Sequence, residues 1–135
     1  MPTRTDRTFS ALECADLARV SYRQLDYWLR RGVLLPHRPA SGSGSRRQFA
    51  RHEVSVVRLI GQLMAAGAVT EMCADVVEVV QCLPLDQWSG LLVVWPDGAM
   101  QVLDAGTPLA RPEGPAKAGW VVDLAGCVVQ PDEEA

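Results

Sequence analysis

A chain of 135 residues is the size of one domain, and 48% hydrophobic against 21% charged residues is the balance of an ordinary globular protein. The longest apolar run, Leu91 to Trp95, is far too short for a membrane span, and no apolar segment follows the polar residues 1–8 as a secretory signal would require. The formal net charge of −3 hides an asymmetry: residues 1–58 hold eleven Arg and five acidic side chains, residues 59–135 two basic and eleven acidic ones. A basic front on an acidic body is the pattern of a nucleic-acid-binding head with a non-binding tail, in a protein expected in the cytoplasm and, there, at the nucleoid.

Ser10-Ala11-Leu12-Glu13 is a capping box, with Ser10 at the N-cap and Glu13 at N3, and Phe9 and Cys14 occupy the two positions of a hydrophobic staple. The spacing predicts a helix to about Ala18. The same device recurs at once in Ser21-Tyr22-Arg23-Gln24, stapled by Val20 and Leu25. Two short capped helices across a tight turn make a helix-turn-helix. In the second, Leu25, Trp28 and Leu29 form the inward face, which leaves Tyr22, Arg23, Asp26, Tyr27 and Arg30 outside. An exposed face with two Tyr and two Arg at a helix N-terminus suits phosphate and base-edge contact.

Gly32 ends this helix as a C′ residue, and Pro36 prevents its resumption. Residues 37–47 centre on Ser41-Gly42-Ser43-Gly44-Ser45 and carry Arg38, Arg46 and Arg47 on either side. A hairpin wing that brings these Arg toward phosphates accounts for the pattern better than an inert linker. A third helix is predicted from Arg51 to Ala66 with Val56, Val57, Ile60, Leu63 and Met64 inward, His52 in solvent, and Gly67 as its stop.

The strings Val20 to Trp28, Arg31 to Pro36 and Ser41 to Phe49 resemble the MerR family, and within it an actinobacterial branch with a VSYRQLDYW recognition helix. The resemblance covers about residues 9–67. It implies a winged helix-turn-helix whose second helix enters the major groove of double-stranded promoter DNA while the wing holds the flanking backbone. By position it nominates Tyr22, Arg23, Tyr27, Arg46 and Arg47, with Arg38 in support; Ser21 and Arg30 join them from the exposed helix. It also implies a homodimer or cooperative oligomer, action on an over-long promoter spacer, and RNA polymerase as a partner. Two positions depart from the family pattern. Arg19 stands where the turn before the recognition helix usually has Gly, and Phe49-Ala50 stands where a Tyr-Ser pair usually opens the third helix.

Thr70 is placed to cap a fourth helix to about Gln81, with Met72, Val76, Val79, Val80 and Leu83 as its apolar stripe and Pro84 as its end. It is too short for the coiled coil through which MerR regulators pair, so the stripe either docks on the chain's own head or meets a second copy. From Leu91 the period changes: strands are predicted over 91–95, 99–103 and 120–124, with a further one at 127–129, and turns or loops between them. Trp88, Trp95 and Trp120 are read mainly as core of this small module, with a dimer interface or ligand pocket as the other uses.

Four cysteines show no metal or redox spacing, and Cys73 and Cys82, nine residues apart, lie about 900° apart around a helix and face opposite ways. They are read as small apolar residues. The expected fold is α+β: a winged helix-turn-helix head (1–68), a connecting helix (69–83) and a small β-rich module (84–135). The expected function is a sequence-specific DNA-binding regulator. A phage-type excisionase or other DNA-architectural protein, and a protein-interaction module, are the alternatives. No phosphate loop, carboxylate pair, nucleophile motif or metal spacing is present, so neither an enzyme nor a cofactor is expected.

Overall fold

Two short helices, each with a complete capping box, open the computed structural model, which describes residues 8–34, 48–95, 100–103 and 120–129. Ser10 Oγ accepts from Glu13 N–H at 3.2 Å while Glu13 Oε1 accepts from Ser10 N–H at 3.0 Å, starting α1 (Ala11–Ala18). Ser21 and Gln24 repeat the exchange at 3.0 Å in each direction at the head of α2 (Tyr22–Arg30). Phe9, Cys14 and Leu25 are buried in one core, as stapled positions should be.

Between the helices the chain turns through Arg19, which has φ +61°. Arg19 N–H donates to Asp16 O (3.2 Å) and Val20 N–H to Ala15 O (3.0 Å), the two bonds of a Schellman motif. Left-handed backbone costs a side-chain-bearing residue about 1–2 kcal/mol, which is why Gly is the usual tenant. Arg19→Gly is expected to raise stability by about 0.5–1 kcal/mol, the strain relieved less the extra unfolded-state entropy of glycine. A urea titration checks this, and a loss of stability would show that the Arg19 side chain contributes more than its backbone costs. Gly32, at φ +74°, ends α2 with the same pair of bonds.

A two-residue ladder, unforeseen in the sequence, ties the start of the head to its end: β1 (Thr8–Phe9) pairs antiparallel with β2 (Phe49–Ala50), Phe9 opposite Phe49. α3 (Arg51–Ala65) follows, with Ala50 at its N-cap and no side-chain bond there. Unlike the one-sided helix expected, α3 is buried around most of its circumference: Val54, Ser55, Arg58 and Leu59 are as inaccessible as Val56, Val57, Ile60 and Leu63. Residues 120–127 add to the cover that α1 gives, because the strand at Trp120–Asp123 and the short helix after it also pack on α3.

α4 (Thr70–Val80) starts on an N-cap Val69 with no side-chain bond, so Thr70 is its first helical residue and not its cap. Its stripe docks on the chain's own core through Cys73, Val76, Val77 and Val80. Val77 takes the place predicted for Val79, which is exposed. After a 3₁₀ turn at Leu85–Gln87, β3 (Leu91–Val94) forms the centre of an antiparallel sheet between β4 (Met100–Leu103) and β5 (Trp120–Asp123). Leu92 stands opposite Val102 and Val122, and Leu92 and Val94 join the main core. Val93 and Trp95 are buried separately, so β3 is dry on both faces, as an unbroken apolar run requires.

Residues Leu124–Cys127 form a single helical turn, α5, and Val128 and Val129 run on without strand pairing. The strand expected at 127–129 is absent because Val129 N–H donates to a side chain of α3 and to no neighbouring strand. Of the tryptophans, Trp88 and Trp95 are core, and the half-buried Trp120 donates from Nε1 to Ala66 O at 3.0 Å.

Burial sets the cysteine chemistry. It pushes the Cys14 thiol up to about 12, with the Glu53 charge adding to the shift, and Cys73 and Cys127 each to about 11. A raised thiol pKa favours the neutral folded form, so this stabilisation is complete below the unfolded value of 9.0 and is lost as pH climbs from there toward the folded value. At about pH 10.5 the loss from Cys14 alone is expected to be about 2 kcal/mol, from 1.36 kcal/mol per unit. Cys14→Ala is expected to flatten the alkaline limb of a denaturation series by that amount; an unchanged limb would place the thiolate in contact with water.

Candidate nucleic-acid interface

The capping box leaves α2 with one committed and one presented face. Leu25 and Trp28 are buried and Leu29 is half-buried, so the helix cannot roll without exposing them. Positions 22, 23, 26, 27 and 30 then share the outer face, because they recur at one and four residues around a 3.6-residue turn. Tyr22 and Tyr27 are about half exposed, at 49% and 47%, unusual for residues with so much ring area. Arg23 stands exposed between them.

Each predicted site residue on the described part of this surface has a definite setting. Ser21 Oγ is engaged by the cap, accepting from Gln24 N–H and facing Gln24 Oε1 at 3.3 Å. Arg30 forms an ion pair with Asp26 one turn back, Nε to Oδ2 2.8 Å, and stays largely in solvent. Such an exposed pair is worth a few tenths of a kcal/mol, so a phosphate competes for that guanidinium easily. Tyr22, Arg23, Tyr27 and Arg30 are thus brought together on one helix. Arg38, Arg46 and Arg47 lie outside the described residues.

Arg31 was missed in the sequence. Its guanidinium lies over the Tyr27 ring, 5.8 Å from the centroid, so it belongs to the same surface and holds the ring in place. The signal was available: Arg31 follows Tyr27 by four residues, the spacing of side chains that meet on a helix. Arg58 departs the other way. Counted among the basic residues of the head, it is 6% exposed and contributes nothing to the outer face.

Leu34 and Phe49 border a cavity of about 390 Å³ that α3 and α4 close with Val56, Val57 and Val77. His52 lines it too. Expected in solvent, His52 is half-buried, with Nε2 3.3 Å from Val80 O and its ring edge-on to Trp88 at 5.8 Å. It joins α3 to the end of α4, a structural task that accounts for its position. Among the described residues no group of three or more His, Cys, Asp or Glu is arranged to hold a metal, and no helix is long and apolar enough to cross a membrane.

The profile of the MerR HTH family regulatory proteins matches residues 9–78, just over half of the chain. Over 52 residues, 38% of its length, the chain is 38% identical to a protein of Mycobacterium bovis named as an uncharacterized HTH-type transcriptional regulator. Proteins of the same description from two strains of Mycobacterium tuberculosis match with the same identity and extent. The shared segment takes in only 23% of each relative's length. Both capped helices, the turn between them, α3 and most of α4 fall inside the profile, and the chain belongs to the MerR family of helix-turn-helix regulatory proteins.

Proposed function

We propose that this chain is a sequence-specific transcription regulator that lays α2 in the major groove of double-stranded promoter DNA. The exposed Tyr22–Arg23–Tyr27 face, on a helix whose other side is locked in the core, carries this reading. Arg23 reads base edges from the first turn of α2. The two Tyr hydroxyls, Ser21 and Arg30 meet phosphates beside it, and Arg38, Arg46 and Arg47 of the wing clamp the flanking backbone. Residues 1–68 form the DNA-binding head, 69–83 the connecting helix and 84–135 a module that supports assembly into a homodimer or cooperative oligomer. Its place is the cytoplasmic nucleoid, with RNA polymerase as a further partner at the promoter.

Cognate sites from a genome-wide pull-down of bound DNA provide the test. Arg23→Ala is expected to reduce the ratio of cognate to random-duplex affinity by about 5- to 100-fold, the worth of one base-reading side chain. Arg47→Ala is expected to weaken both duplexes about equally. An unchanged ratio for Arg23→Ala, measured by fluorescence anisotropy, would remove α2 from the role of base reader.

A further inference from the structure

Arg58 sits in the middle of α3 with its guanidinium buried, a costly position for a charge unless hydrogen bonds replace the lost water. Its Nε donates to Leu17 O at 3.1 Å, and Nη2 donates to the same oxygen. Leu17 is the penultimate residue of α1, so its carbonyl is among the last four that a helix cannot satisfy internally. The carbonyls of Ala15 and Asp16 are taken by Val20 and Arg19 N–H; that of Leu17 is taken by Arg58. One turn further along α3, Gly61 lies under the same turn. A Cβ there would stand 2.6 Å from Val20 Cγ1, so only glycine lets the turn seat this closely.

The same stretch of α3 also holds the other end of the chain. Arg58 Nη1 reaches Val128 O at 3.5 Å. One turn before it, the fully buried Ser55 accepts from Val129 N–H at 3.0 Å and donates to Arg51 O at 2.9 Å. Ser55, Arg58 and Gly61 thus follow at intervals of three along α3, the C-terminal segment at one end and the helix-turn-helix turn at the other. Of these three, Arg58 is the one hydrogen-bonded to both.

We infer that Arg58 is a positioning residue that couples the seating of residues 127–129 to the turn carrying the recognition helix, so that the C-terminal module governs DNA affinity without touching DNA. The inference rests on the reading of α2 as the recognition helix. By linkage the coupling is reciprocal: DNA that holds α2 also tightens the C-terminal segment.

The test uses the full chain as wild type, Ser55→Ala, Arg58→Lys and the double variant, with anisotropy on a labelled cognate duplex and amide exchange at Val20 and Val129. Each single variant is expected to weaken DNA binding about 5- to 10-fold, at the low end of allosteric couplings. The salt dependence should keep its slope, because no phosphate contact is removed. The double variant is expected to bind no more weakly than the worse single one, and DNA is expected to slow exchange at Val129. Multiplying single effects, or a Val129 amide indifferent to DNA, would overturn the coupling. If wild type fails to bind duplex DNA, the proposed function falls instead. The coupling is then read in the free protein, where Ser55→Ala must speed exchange at Val20 and must do so only while Arg58 is intact; no such change overturns it. Should Arg58→Lys fold poorly, the Ser55→Ala affinity and the Val129 exchange decide alone.

Discussion

Raising the salt from about 50 to 200 mM is expected to weaken duplex binding by about 40- to 2,000-fold, the response of a protomer that neutralises roughly three to six phosphates. The range follows from counterion release, in which the logarithm of affinity falls with the logarithm of salt at about 0.9 per phosphate contact. The whole chain is acidic, at −3, so an attraction of this size requires the basic side chains to be segregated. Arg23, Arg30 and Arg31 are exposed on or beside α2, and Arg19 is exposed at the turn before it. Arg58, the one buried Arg among the described residues, does not enter the count. Filter binding or anisotropy over a salt series measures the slope. A flat response would mean that the basic head does not meet a polyanion, and the DNA reading would be abandoned.

Trp28→Ala is expected to cost about 3–5 kcal/mol of stability, a fifth or more of the roughly 5–15 kcal/mol available to a domain of this size. Trp28 is 2% exposed and is, among the described residues, the largest of the fully buried side chains. It has a second effect, because only Trp28 and Leu25 are fully buried along the whole of α2. Removing the indole leaves a cavity and frees α2 to shift, so on the proposed reading of α2 DNA affinity should fall even at temperatures where the variant remains folded. Thermal and urea unfolding check the first effect, with a Tm drop of about 10–20 °C expected. A cost below about 1 kcal/mol would mean that the helix is held from elsewhere.

The head was legible because its signals are local. A capping box is an exchange of hydrogen bonds between residues three apart, and Ser10–Glu13 and Ser21–Gln24 make those bonds as written. The Leu25–Trp28–Leu29 face needed only the helical period, which in turn put Tyr22, Arg23 and Tyr27 outside. Where the period alone was ambiguous the reading slipped. On α4 both Val77 and Val79 are apolar, and the choice between them depends on the angle at which the helix meets α3. Thr70 has the side chain of a cap, yet the helix begins at Thr70 itself.

By itself, then, the sequence determined the two capped helices, the face α2 presents, the stops at Gly32 and Gly67, and the basic front on an acidic body. These rest on contacts within about four residues or on composition, and no later packing can rewrite them. Only the tertiary structure decided that α3 is buried on both sides, that His52 bridges to α4, and that Arg58 turns inward. Arg58 meets Leu17 and Val128, 41 and 70 residues away in the chain. A partner at that distance is chosen by which surfaces the collapsed chain brings together, and one arginine codon reads the same whether its side chain will face a phosphate or two buried carbonyls.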